Sequence, residues 1–84
     1  MTKRQEKILD DIYNDDKIAS IKWNSVISLL KALDAIIQER KGSRVCVKLN
    51  SCRAVFHKPH PEKELCKAAV KSLRAFLTSA GINR

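Results

Sequence analysis

Along the middle of the chain the apolar positions Trp23, Val26, Ile27, Leu30 and Leu33 recur every three or four residues, which is the period of a helix with one buried stripe. Asn24 is placed to cap its first turn, and Asp34 stands where the chain must leave it in a left-handed conformation. Trp23 reads as a core anchor of that helix rather than a base-stacking platform. Ala35 to Glu39 then predicts a short strand, and Arg40-Lys41-Gly42-Ser43 a polar turn. Arg44 to Leu49 alternates strictly, Asn50-Ser51 interrupts, and Cys52 to His57 supplies a further strand, so a tight hairpin is expected. His57-Lys58-Pro59-His60-Pro61 is a stiff loop, because each proline fixes its own φ and restricts the residue before it. Beyond it Leu65, Ala69, Leu73, Phe76, Leu77 and Ala80 form a second helical stripe that ends at Gly81, with Lys63, Lys67, Lys71 and Arg74 along another side. Ahead of all this, residues 3–14 place Ile8, Leu9, Ile12 and Tyr13 at helical spacing, a short amphipathic packing helix that Asn14-Asp15-Asp16 breaks.

The hairpin fixes a register. If Leu49 faces Cys52, the next cross-strand pairs are Lys48 with Arg53, Val47 with Ala54, Cys46 with Val55, Val45 with Phe56 and Arg44 with His57. One face then carries Val45, Val47, Leu49, Cys52, Ala54 and Phe56 and belongs to a core. The other carries Arg44, Lys48, Arg53 and His57 around Cys46 and Val55, and is open and basic. The expected fold class is α+β: a small α-β-β-β-α domain over residues 22–84, with a three-stranded antiparallel sheet and two helices on one face, preceded by a helical extension over residues 1–21. This is the layout of a double-stranded-RNA-binding domain in miniature.

Composition narrows what such a domain can do. Eighty-four residues leave room for one small core, which excludes a two-domain enzyme. With 44% hydrophobic and 31% charged residues the chain is too apolar to be disordered. Apolar runs are a few residues long, so neither a membrane span nor a secretory core is expected, and the reading is a cytoplasmic protein. Three cysteines, at 46, 52 and 66, form no C-x-x-C pair and read as reduced packing thiols. The charge is informative: 17 Lys and Arg against 9 Asp and Glu give +8. Residues 1–21 are close to balanced, with four basic and five acidic side chains, whereas residues 22–84 carry thirteen and four. A cationic field of that density attracts phosphate polymers, although it specifies neither sequence nor catalysis.

Several motifs in order carry a family resemblance. Trp23 with Leu29-Leu30 and Leu33, Gly42-Ser43 opening a strand, Pro59-His60-Pro61, and the VKSLRAFLTSAG run from Val70 to Gly81 make residues 22–82 similar to the HicA toxins of bacterial toxin–antitoxin pairs. The resemblance implies the dsRBD-like fold, messenger RNA as substrate, and a HicB-type antitoxin that covers the active face in a hetero-oligomer. One departure stands out. In most members the Gly-Ser pair is followed, within a residue or so, by the catalytic histidine, and Arg44 holds that place here. A guanidinium stays protonated, so it binds phosphate or stabilises developing negative charge but is a poor base.

Metal-free RNA cleavage needs a base for the ribose 2′-hydroxyl, an acid for the leaving 5′-oxygen and cations around the phosphorane. Imidazole suits the proton steps because both of its forms are accessible at cellular pH. His57 and His60 are the two histidines. The register sets His57 across from Arg44, so His57 is the candidate base, with Arg44, Lys48 or Arg53 bracing the phosphate. His60 is the second candidate, as leaving-group acid or as an orienting residue of its loop. Lys48, Arg53, Lys58, Lys67 and Lys71 are the expected RNA contacts. The H-x-x-H spacing of His57 and His60, with Cys52 and Cys66 nearby, is a weak zinc pattern because Cys52 is expected to face the core; no metal or cofactor is expected. Two other readings stay open: an RNA-binding module of the same fold that has lost catalysis, and a purely protein-binding domain.

Overall fold

The computed structural model describes residues 2–18, 21–59 and 64–82. His60 and Lys63 therefore lie outside the described residues. Helix α1 spans Lys3–Ile12, α2 Trp23–Ala32, strands β1 Ile36–Glu39, β2 Arg44–Leu49 and β3 Cys52–His57, and helix α3 Lys67–Ser79. The three strands form one antiparallel sheet in the order β1-β2-β3. The fold is thus the expected α-β-β-β-α unit with a helix added in front.

The hairpin register agrees with the alternation pair by pair, from Leu49 with Cys52 to Arg44 with His57. Val45, Val47, Leu49 and Phe56 are buried, and Cys52 and Ala54 pack half-buried beside them. Asn50 turns the hairpin with a positive φ of 55°, a conformation its short amide side chain tolerates, and its Nδ2 donates to the Ala80 carbonyl at 2.6 Å. That bond ties the hairpin tip to the end of α3. Asp34 has φ 65° at the exit of α2, as its position predicts.

Both helices of the core unit lay their apolar stripes on the sheet. Trp23, Val26, Leu29 and Leu30 of α2 meet Val70, Leu73, Phe76 and Leu77 of α3 in one core, where Phe56 and Phe76 pack edge to face with ring centroids 6.0 Å apart. Three details differ from expectation. The N-cap of α2 is Lys22, with no side-chain cap, and Asn24 sits inside the helix; the backbone there is fixed instead by an isolated antiparallel β-bridge between Lys22 and Glu64 and by Leu65 N–H donating to the Ile21 carbonyl at 2.9 Å. Leu65 is buried but precedes α3, which starts at Lys67. Arg74 is not on a wet stripe.

Arg74 is taken up by α1. Phe76 faces the sheet, and Arg74 and Thr78, two residues to either side of it at about 100° per residue, project from the opposite side of α3. There Arg74 Nε donates to the Ile12 carbonyl at 3.0 Å, Nη2 lies 3.0 Å from Asp15 Oδ1 as a charge contact without hydrogen-bond alignment, and the guanidinium stands 5.9 Å from the Tyr13 ring centre. The Tyr13 hydroxyl is 2.8 Å from Thr78 Oγ1 and donates to the Ile82 carbonyl at 2.9 Å. Leu9, Ile12, Ile18 and Ile21 join the main core, so the N-terminal segment packs across α2 and α3 on the side away from the sheet. The start of α1 is held by a capping box between Thr2 and Gln5.

Candidate nucleic-acid interface and active face

The sheet face away from the helices is a small grid. Backbone bonds continue each pairing by one step: Arg40 N–H donates to the Arg44 carbonyl at 2.7 Å, and Lys58 N–H to the Ser43 carbonyl at 2.8 Å. Because side chains alternate, the open face carries three rows across the strands, namely Arg40, Arg44 and His57, then Gln38, Cys46 and Val55, then Ile36, Lys48 and Arg53. Successive rows are about 6.7 Å apart, two residues along a strand. None of the nine positions is a carboxylate.

The first row holds the residues of chemical interest. The Ser43–Lys58 bond makes those two a hydrogen-bonded pair, so Arg44 and His57 form a non-hydrogen-bonded pair, the geometry in which opposed side chains come closest, with Cα atoms about 4.5 Å apart. Both are exposed. Arg44 Nε donates to the Lys41 carbonyl at 3.2 Å, which fixes the root of its fork and leaves its Nη donors turned to solvent. The carbonyl is presented by the Lys41–Ser43 turn, where Gly42 and Ser43 have φ 74° and 63°. Glycine adopts the first of these without strain, and the serine holds a left-handed conformation that most residues avoid.

Spanning the rows is a shallow concavity of about 300 Å³ lined by Ile36, Gln38, Arg40, Cys46, Lys48 and Arg53. Ile36 and Val55 are each 56% exposed, the exposed large hydrophobic residues of the described chain. Sequence reasoning had not reached Gln38 and Arg40. The sequence placed Arg40 in the turn and left the register of β1 on β2 open, and it is the pairing of β1 with β2 that sets both residues on this face.

A scan against family models matches residues 23–82 to the HicA toxin of bacterial toxin–antitoxin systems. The chain belongs to the HicA toxin family. No curated protein and no solved structure gives a significant match. As a HicA toxin, the chain is the toxic member of a toxin–antitoxin pair, and the matched span leaves α1 outside.

Of the expected contacts in this HicA chain, Lys48 and Arg53 share the open face with Arg44 and His57. Lys58 is exposed just past β3, opposite Ser43. Lys67 and Lys71 are exposed on α3, in the helix layer behind the sheet, and so do not share that face. Cys52 packs against the core while His57 is on the open side, so the two do not converge as ligands. Cys66 is exposed at the start of α3. Among the described residues no group of three or more His, Cys, Asp and Glu is arranged to hold a metal, and no helix is long and apolar enough to cross a membrane.

Proposed function

We propose that this HicA toxin is an endoribonuclease that cleaves messenger RNA without a metal, and that the row Arg40, Arg44 and His57 faces the scissile phosphate. The pairing of Arg44 and His57 as close neighbours on an open sheet face without carboxylates carries the reading. His57 takes the proton from the ribose 2′-hydroxyl, the 2′-oxygen attacks phosphorus, and the P–O5′ bond breaks. The products are a 2′,3′-cyclic phosphate and a 5′-hydroxyl, whose proton comes from an acid, the role for which His60 is the candidate. The Arg44 fork stabilises charge on the non-bridging oxygens, as fixed cations do where negative charge develops, and Lys48 and Arg53 hold flanking phosphates. Lys58, Lys67 and Lys71 extend the cationic field around the edge. A HicB-type antitoxin in a cytoplasmic hetero-oligomer is the proposed inhibitor, seated on the same face.

Purified protein is incubated with end-labelled RNA in the presence of chelator, and its ends are mapped. Cyclic-phosphate ends are expected, and His57→Ala reduces the rate by about 10²–10⁴, the usual worth of a positioned proton transfer. Full activity in His57→Ala overturns the base assignment. The resemblance suggests a second reading: Arg44 stands where most members are expected to carry the catalytic histidine, and an RNA-binding module without catalysis would show salt-sensitive binding and no new ends in the same assay.

A further inference from the structure

The concavity that adjoins the proposed scission row shares Arg40, Lys48 and Arg53 with the cleavage scheme and adds Gln38, Ile36 and Cys46, which that scheme leaves unused. Its lining offers hydrogen-bond donors almost exclusively: the guanidinium groups of Arg40 and Arg53, the ammonium of Lys48 and the amide of Gln38. The single side-chain carbonyl there, Gln38 Oε1, accepts from Arg40 Nη2 at 2.8 Å. That bond sets the orientation of the amide, so its Nε2 donors are turned away from Arg40. Ile36, more than half exposed, and Cys46 supply the apolar surface of the lining, and Val55 lies outside it, beside Cys46 in the middle row. An apolar floor with a cationic rim and no acid suits a planar, polar-edged group on a polyanion better than it suits an acidic side chain, which would find no use for the floor.

Resting on the ribonuclease reading above, we propose that this concavity is a base subsite for single-stranded RNA, next to the scissile phosphate, and that it selects keto bases, with Gln38 and Arg40 as the specificity-determining pair. Guanine presents O6 and N7 and uracil presents O4, all acceptors, to a donor-lined site. Adenine and cytosine present exocyclic amines at the corresponding position, and an amine facing Gln38 Nε2 or Arg40 leaves donor against donor. The middle row is about 6.7 Å from the Arg44–His57 row, two residues along the strands, so a base in the concavity belongs to a nucleotide flanking the cleaved bond.

The test uses the full chain carrying His57→Ala, so that RNA is not consumed, and measures fluorescence anisotropy at fixed salt with labelled octamers of uridine, alternating guanosine-uridine, cytidine and adenosine. The uridine and guanosine-uridine octamers bind about tenfold more tightly than the cytidine and adenosine ones, a modest ratio for an open base site. Gln38→Ala and Arg40→Ala each shrink that ratio toward one, whereas Lys31→Ala on the exposed side of α2 leaves it in place. Cleavage-site mapping with the unmutated histidine then shows guanosine or uridine beside the cut bond, and Gln38→Ala relaxes this preference. Equal binding of all four octamers by the His57→Ala protein, while the protein with its histidine intact cleaves RNA, overturns the subsite and spares the ribonuclease reading. Absence of both binding and cleavage overturns both. Tighter capture of an oligoglutamate peptide than of any octamer assigns the concavity to a protein partner and likewise overturns the proposal.

Discussion

Replacing Ile12 by Ala tests whether the N-terminal helix is part of the domain or an arm resting on it. Ile12 is fully buried in the same core as Leu29, Leu73 and Leu77, although it lies outside the family match. Removing a buried isoleucine side chain to its Cβ costs roughly 2–5 kcal/mol, through lost burial and the cavity left behind. An 84-residue domain has only about 4–13 kcal/mol in total, so a mid-range loss of about 3 kcal/mol removes a large share of it. At roughly 4–8 °C per kcal/mol for a domain of this size, the midpoint falls by about 12–24 °C. Urea unfolding followed by fluorescence is informative because Trp23, the one tryptophan, is buried in α2 rather than α1. The transition seen from Trp23 must move together with the loss of helical circular dichroism. A Trp23 midpoint that stays within about 0.5 kcal/mol of the parent while helicity falls would refute the argument, since surface changes alone account for shifts of that size.

Three other outcomes follow from the same structure. Asp34→Gly relieves a left-handed aspartate at the exit of α2 and raises stability by up to about 1 kcal/mol, measured as a shift in the urea midpoint; a loss would mean that the Asp34 side chain has a role its exposure hides. RNA binding weakens steeply with salt: four phosphates held by Arg40, Arg44, Lys48 and Arg53 give a log–log slope of about −3 for single strands, and Lys48→Ala makes it shallower by about 0.7. Arg44→Lys keeps the charge but loses both the planar fork and the bond to the Lys41 carbonyl, so the cleavage rate drops at least about tenfold while the salt slope of binding stays near the parent value.

The hairpin was legible because strict alternation admits one register once the two-residue Asn50-Ser51 turn is fixed, and this carried Arg44 and His57 to their shared row. Asp34 was legible for a similarly local reason. Long-range capture was not. A lysine and arginine stripe on a helix tells which residues share a side, but not whether another element covers it, and so Arg74 read like Lys67 and Lys71 until Tyr13 and the Ile12 carbonyl were seen against it. Ile36 and Ile37 adjoin without alternation, so the sequence did not say which one faces solvent; pairing with Lys48 decides it. Asn24 missed its capping post because the segment from Ile21 to Lys22 is straightened by pairing with Glu64 and Leu65, a contact some forty residues away in sequence.

The placement of α1 bears on how silencing would work. With the outer flank of α2 and α3 already occupied by the chain's own first helix, a protein that blocks the toxin by standing in the way is steered to the bare β-surface. On the proposed reading, transcript and inhibitor then become rival guests for one seat. Enough RNA should loosen the inhibitor's hold, and the dose of antitoxin needed to keep a cell growing should rise with the amount of message it carries.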